Sequence, residues 1–400
     1  MTPAPFKLSQ RLQQRHQDQL HRRRRLLGSP QQPKQTIDGQ PVLSFCSNDY
    51  LGLANHPKVQ EALIQGVKEH GVGAGASHLV NGHHHQHHLL EEELAEFTGY
   101  DRCLLFSTGY MANLGAVNGL VAKGDRVLED KLNPASLLDA GLASGAEFAR
   151  YRHLDLEHLK EKLHQGGDRD QLVVTDGIFS MDGDQAPLGR MANVCREHQA
   201  WLMVDDAHGF GTCGPQGRGS VAAAELGQQD VQLLVGTLGK AFGTFGAFVA
   251  GSDETIEALI QFSRTYIYTT ALPPAVATAT RMSLKLLQSM DEQRQHLRQL
   301  QNRFKAECAR MGFTLWPSDS PIQPLMIGDE ERALTLSERL FDQGLLVTAI
   351  RPPTVPKNTA RLRVTFSADH SVEDLDRLLD CLWQNRQLLL ANDSRPDDES

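Results

Sequence analysis

The sequence predicts an α/β protein: a large domain around a largely parallel sheet, a smaller α+β domain after it, and a helical segment in front. Three observations carry that expectation. From about residue 55 to 285, short apolar runs of strand character alternate with amphipathic helical stretches, the rhythm of βαβ units. Several of those runs end in polar or glycine-rich motifs, and ligands in open parallel sheets bind beyond the carboxyl ends of strands. At 400 residues and 40% apolar content, the chain is too long for one minimal core and suits a large domain plus a smaller one.

In chain order, residues 5–27 read as a basic helix rich in Gln, Arg and Leu, ending near Gly28-Ser29-Pro30. Its run Arg22-Arg23-Arg24-Arg25 is either a phosphate-binding patch or a solvated helix face. Residues 35–46 read as a hairpin turning at Asp38-Gly39. Strands are expected at 103–106, 126–129, 172–176, 201–204, 231–235 and 247–250, with helices at 89–98, 111–122, 154–164 and 189–198. A long polar helix over 285–312 leads to apolar runs at 322–327, 345–350 and 361–367 and a last helix near 372–390. The expected divisions are an N-terminal segment 1–50, a large cofactor-binding domain 51–285, a C-terminal domain 286–390 and a frayed acidic tail 391–400.

Composition narrows the function. A formal net charge of −9 argues against a nucleic-acid binder, which needs basic surface to neutralise phosphates. The six cysteines are dispersed with no CxxC pair, as expected of reduced thiols in a cytoplasmic protein rather than of a disulfide framework or zinc site. No apolar run is long enough to span a membrane, and residues 1–28 lack the apolar core of a secretory signal.

The motif with most chemical content is Gly236-Thr237-Leu238-Gly239-Lys240-Ala241-Phe242-Gly243, a lysine between glycines just after an apolar run. A lysine amine so placed forms Schiff bases with aldehydes and ketones. A second run ends in Asp205-Asp206-Ala207-His208, and a carboxylate there would pair with a protonated pyridine nitrogen. Asp205 is the favoured partner, because His208 must reach the same ring; alternatively the acidic pair caps the next helix. Phe106-Ser107-Thr108-Gly109-Tyr110-Met111 joins a strand to a helix, where backbone amides would hold a phosphate. Tyr110 would then cover a planar ring and Thr237 would add a hydroxyl to the phosphate. In the loop 176–184, Ser180 would bond a phenolic oxygen; its DxDG-like fragment lacks the later glutamate of a calcium loop.

The run His83-His84-His85, with His87 and His88, contains i,i+4 pairs compatible with metal ligation. No carboxylate or cysteine is placed to complete a shell, although Glu91 and Glu92 lie nearby, and no metal site is expected. Arg351 and Arg363 offer guanidinium groups suited to a carboxylate.

These motifs in this order resemble the α-oxoamine synthase family of fold-type I pyridoxal phosphate enzymes. The resemblance runs from about Arg22 to residue 385 and includes Ser47-Asn48-Asp49-Tyr50-Leu51-Gly52-Leu53, and it is strongest to the biotin-pathway branch. It implies an aspartate aminotransferase-like fold with a mostly parallel seven-stranded sheet. It implies pyridoxal 5′-phosphate held as a Schiff base on Lys240, with Lys240 also acting as general base. The implied reaction is decarboxylative condensation of L-alanine with a pimeloyl thioester, the acyl group arriving on coenzyme A or an acyl carrier protein. Asp205, His208, Ser180, Thr237, Gly109 and Tyr110 would hold the cofactor. Arg363, Arg351 and Asn48 would face the amino-acid carboxylate, and Arg22 and Thr354 the acyl chain. A homodimer with its site at the subunit interface is implied as well.

One position departs from the pattern. Where the family has a histidine stacked on the cofactor ring, this chain reads Asn133-Pro134-Ala135-Ser136, and proline brings a flat apolar face without a proton donor or acceptor. Two alternatives stay open: a sister enzyme joining glycine or serine to another acyl thioester, and a catalytically impaired member.

Overall fold

The computed structural model describes residues 5–18 and 20–390; the acidic tail lies outside the described residues. Seven strands form the central sheet: β3 (Arg102–Phe106), β4 (Arg126–Asp130), β5 (Glu147–Tyr151), β6 (Gln171–Asp176), β7 (Trp201–Asp205), β8 (Leu233–Thr237) and β9 (Ala247–Gly251). Before them, β1 (Lys34–Ile37) and β2 (Gln40–Ser44) make the expected hairpin; after them come β10 (Ile322–Gly328), β11 (Leu345–Leu346), β12 (Thr348–Ile350) and β13 (Ala360–Thr365). The central order is β3-β9-β8-β7-β6-β4-β5. All neighbouring pairs are parallel except those of β9, which runs antiparallel to β3 and β8.

Side-chain alternation along these strands builds two cores, one on each face of the sheet. On β7, Leu202 and Val204 join one core and Met203 the other. Helices cover both faces. The helices Pro57–His70 and Pro274–Gln288 touch so closely that a Cβ on Gly66 would stand 2.9 Å from the Ala275 Cα. The C-terminal strands form a separate sheet, β10-β13-β12, while β11 pairs in parallel with β2 of the hairpin. No helix among the described residues is long and apolar enough to cross a membrane.

Three local expectations change. The N-terminal helix spans only Leu8–Gln17; beyond it the chain is drawn toward the hairpin, with Leu26 N–H donating to Asp38 (2.8 Å) and Leu27 bridging Ile37. The arginine run is then not a helix face: Arg23 pairs with Asp38 and Arg25 lies over the Phe341 ring at 3.8 Å. The long polar helix is two, Pro274–Gln288 and Asp291–Arg310, broken where Ser289 ends one and Asp291 and Glu292 start the next with favourable charge. Edge strand β5 was not expected, because Glu147 and Arg150 dilute its apolar pattern.

β8 runs to Thr237, two residues beyond the expected end, and this decides where Lys240 emerges. A Cβ on Gly236 would stand 2.4 Å from Phe248 Cζ and 2.8 Å from Phe210 Cε2, so the strand threads between two buried rings. Gly236→Ala is expected to lower stability by about 1–3 kcal/mol through overpacking, read as a reduced midpoint in denaturant unfolding.

Candidate active site

The polar motifs converge at the carboxyl edge of the sheet. Register sets Asp176 of β6 beside Asp205 of β7, and Asp205 beside Val235 of β8. Across β9, Thr237 and Phe106 both pair with Ala247, so the turn after β3 opens next to Thr237. The Thr237 side chain lies 4.0 Å from where a Gly109 Cβ would stand. The helix Gly109–Leu120 starts there, with Thr108 accepting the Met111 N–H (3.2 Å). Its first amides form an anion cradle, bringing together the two residues expected at a phosphate.

Lys240 sits in the turn after β8, closed by Gly243 N–H to Lys240 O (2.8 Å). Gly243 has φ +68°, and a Cβ there would meet Ala54 N at 2.3 Å, so only glycine lets this turn lie against the segment that follows Tyr50. From Lys240 one hydrogen-bonded chain runs outward. Its Nζ is 2.8 Å from His208 Nε2, His208 Nδ1 is 2.6 Å from the Tyr50 hydroxyl, and that hydroxyl reaches Asn48 Oδ1 at 3.3 Å. Asn48 Oδ1 also accepts from Arg363 (3.3 Å), whose Nε donates to the Ser180 carbonyl (2.7 Å) and whose third group donates to Thr365 (2.9 Å). With Tyr50 donating to Asn48, His208 donates from Nδ1 and keeps its Nε2 lone pair for Lys240.

Electrostatics sharpen this centre. Burial lowers the Lys240 amine below the usual lysine range and Arg363 adds to the fall, while Asp205 and Asp176 oppose it. Burial, then Lys240 and Arg363, hold His208 well below its ordinary value, so the ring is neutral. The Asp176 carboxyl is pushed well up by burial and by Asp205 beside it. Burial also raises the Tyr50 hydroxyl to about 12. Asp205 is oriented by Asn113 Nδ2 (2.7 Å) and Ala207 N–H (3.0 Å), both neutral donors. Its neighbour Asp206 turns away into the core, where Ser220 gives it an amide and a hydroxyl, each at 2.6 Å. The two carboxylates thus take opposite directions, as consecutive positions at a strand end do.

Other expected residues stand differently. Tyr110 is exposed and its hydroxyl donates to Asp139, on the helix Ala135–Ala143 that Pro134 precedes. Pro134 occupies the N-cap without a side-chain hydrogen bond, held next to β6 because Asn133 donates to Val174 O (2.9 Å) and accepts Asp176 N–H (3.3 Å). Arg22 and Thr354 are exposed and Arg351 is half-buried; among the described residues no hydrogen bond ties their side chains to the Lys240 chain. Three participants were not singled out: Tyr50, Asn113 and Asp176. Asp176 carried a usable signal, since it ends an apolar run as Asp205 does.

The residues present fit pyridoxal phosphate. Asp205 is a buried carboxylate whose direct partners are neutral, which suits a protonated ring nitrogen. A lysine amine, an amide cradle and a threonine hydroxyl stand around the same strand ends.

The loop carrying Ser180 is clamped from below. His153 bridges two carboxylates, Nδ1 to Asp130 at 2.8 Å and Nε2 to Asp184 at 2.7 Å. Burial works against its charge, yet the bonds to Asp130 and Asp184 outweigh it and lift His153 from 6.5 to about 9. The folded state therefore holds a proton that the unfolded chain releases at lower pH. Its stabilisation is complete below pH 6.5 and disappears as pH rises through about 9. Melting temperature is expected to fall across that window, and His153→Gln is expected to flatten the decline.

Comparison with known proteins agrees with this geometry. The family model for aminotransferase class I and II matches residues 40–382. The chain is 58% identical over 378 residues to 8-amino-7-oxononanoate synthase of Thioalkalivibrio sulfidiphilus (strain HL-EbGR7), covering 94% of this chain and 96% of the relative. It is 60% identical over 362 residues to the enzyme of that name from Methylococcus capsulatus (strain ATCC 33009 / NCIMB 11132 / Bath), covering 90% and 94%. Among solved structures, SPT with a PLP internal aldimine aligns with a TM-score of 0.90 at 32% identity, over 96% of this chain and 98% of that one. A strand-end lysine network, a seven-stranded sheet with one reversed strand and near-full-length identity lead to one placement: the chain belongs to the aminotransferase class I and II family and, within it, to the α-oxoamine synthases.

Proposed function

We propose that this chain catalyses the pyridoxal phosphate-dependent condensation of L-alanine with a pimeloyl thioester, releasing 8-amino-7-oxononanoate, CO2 and the free thiol. The observation that carries the reading is the half-buried Lys240, its amine 2.8 Å from a neutral His208 and acted on by Asp205 and Asp176. Identity of 58% to an enzyme named for that product supports the choice of substrates over those of a glycine- or serine-using sister.

Bound through Lys240, the cofactor supplies an electron sink for the pair left when a Cα bond of the amino acid breaks. The rest falls to the chain's own groups. Lys240, lowered by burial, takes the Cα proton as general base and returns one later. His208 and Tyr50 hold the amine in place from behind. Asp205, fixed by Asn113, keeps the ring nitrogen protonated. Thr237, Gly109 and the amides after Thr108 would bind the phosphate, and Tyr110 and Ser180 would contact the rest of the cofactor.

Arg363 uses three N–H groups on Ser180, Thr365 and Asn48. One N–H remains on each terminal nitrogen, suited to the alanine carboxylate, with Asn48 next to it and Arg351 assigned to the same carboxylate. Arg22 and Thr354 are assigned to the acyl chain, which arrives on coenzyme A or a carrier protein. The working form is a homodimer: Leu79, Val80 and Tyr268 are exposed, and their segments join at the Ser77–Thr270 bridge near the Ser107 turn. All six cysteines are free, in keeping with a cytoplasmic enzyme.

Incubation with L-alanine and pimeloyl-CoA is expected to yield 8-amino-7-oxononanoate by mass spectrometry. Lys240→Ala should lose that product by at least the roughly 10²–10⁴-fold typical of a general base; an active Lys240→Ala would overturn the assignment. Pro134 leaves one ring face without a stacking imidazole, and a stacked ring contributes about 0.5–1.5 kcal/mol. Pro134→His is therefore expected to raise kcat/KM by roughly 2–10-fold, whereas unchanged turnover would show that Pro134 serves the site as it stands.

A further inference from the structure

The histidine-rich stretch before and within the helix His85–Thr98 takes no part in the Lys240 network, and its geometry sorts its members. Gly82 closes a tight loop: its N–H bonds Ser77 O (2.9 Å), and a Cβ there would stand 2.0 Å from Ala76 O. That turn lays His83 against the buried His78, Nδ1 to Nδ1 at 2.8 Å. The helix then starts on two imidazoles. Gln86 N–H donates to His84 Nδ1 (3.1 Å), His84 N–H donates to His87 Nδ1 (3.0 Å), and His87 Nε2 reaches Leu272 O (2.7 Å).

Two trios offer ligand atoms within 4.8 Å of one another: His78, His83 and His87, and His83, His88 and Glu91. The first is engaged already. Both ring nitrogens of His87 serve the helix start and the backbone at Leu272, so ligation there would dismantle the cap. The second trio is not so committed. His83 Nε2 points to Glu91 Oε2 at 3.9 Å, on the side of the ring away from His78. Glu91 Oε1 accepts the Leu105 N–H of edge strand β3 (3.0 Å), which fixes the carboxylate. His88 rests 3.2 Å from Glu92 Oε1 and is exposed enough to turn.

We propose that His83, His88 and Glu91 form a binding site for one divalent cation of the Zn2+ or Ni2+ class. Two imidazoles and a carboxylate are the donor set such ions take, whereas hard cations would need more oxygens. His78 takes the place of the outer partner that fixes a ligating imidazole's orientation, and the Leu105 amide does so for the carboxylate. Metal–ligand bonds of about 2.0–2.2 Å put tetrahedral ligand atoms ~3.4 Å apart, so closure asks for a shift of roughly 1 Å, which His88 has room to make. Glu92 or water completes the shell. This site stands independently of the reaction proposed above.

The test is calorimetric titration of Zn2+ into the purified, chelator-treated full chain, with melting temperature as a second readout. One ion per chain is expected, with a melting rise that depends on metal concentration. His83→Ala and His88→Ala should each weaken binding at least about tenfold, while His85→Ala, outside the trio, should leave it unchanged. His88 and His85 are exposed, so both variants report on folded protein. The proposal is overturned by absence of saturable binding, or by loss in His85→Ala equal to that in His88→Ala, which would mark an unorganised imidazole strip.

Discussion

Asp176 and Asp205, buried side by side at the ends of adjacent parallel strands, create the constraint on which the rest of the centre depends. Parallel register makes them neighbours, and the Asp205 charge disfavours ionisation of the Asp176 beside it. The Asp176 carboxyl is raised well above its ordinary value by burial and by that neighbour. Asp205 is met by Asn113 and the Ala207 amide, and the Lys240 amine stands close enough for both acids to act on it. The lysine is itself lowered by burial. A neutral His208 next to Lys240 follows from the same burial, with Lys240 and Arg363 both disfavouring imidazolium.

This electrostatic centre draws parts from distant stretches of chain. Asn48 and Tyr50 come from the segment after β2, His208 from the end of β7, Lys240 from the turn after β8 and Arg363 from β13. Arg363 and Arg361 project from one strand of the C-terminal sheet onto one loop of the large sheet, binding the Ser180 carbonyl and Asp182. His153 holds that loop again through Asp184. The C-terminal sheet therefore shapes the site directly, because its arginines fix the loop carrying Ser180 and Arg363 joins the Lys240 chain through Asn48.

Much of this was legible in the residues. Lys240, Asp205 and His208 end apolar runs, and in a parallel sheet every such end lies on one edge, so the period-2 pattern alone predicts their convergence. Asp205 was favoured over Asp206 because His208 must reach the same ring while consecutive strand positions face opposite ways, and Ser220 receives the second carboxylate. Less legible were residues whose role depends on a partner far along the chain. Tyr50 sits in a recognised motif, yet its bond to His208 spans 158 positions. Asn113 looks like any polar residue on a helix until Asp205 stands opposite it. Edge strand β5 hid behind Glu147 and Arg150, because an edge needs no continuous apolar run.

The histidine stretch shows the same division at small scale. Its i,i+4 spacing is visible in sequence, but spacing cannot tell which ring nitrogens already serve the helix cap, and Glu91 joins only because the Leu105 amide holds it. The sequence by itself determined the layered α/β architecture and set a lysine and a carboxylate at strand ends, since these follow from local periodicity. The tertiary structure alone decided which polar groups touch and which protons they hold. Burial and hydrogen-bond partners set those protons, and both arise only when segments hundreds of residues apart are packed together.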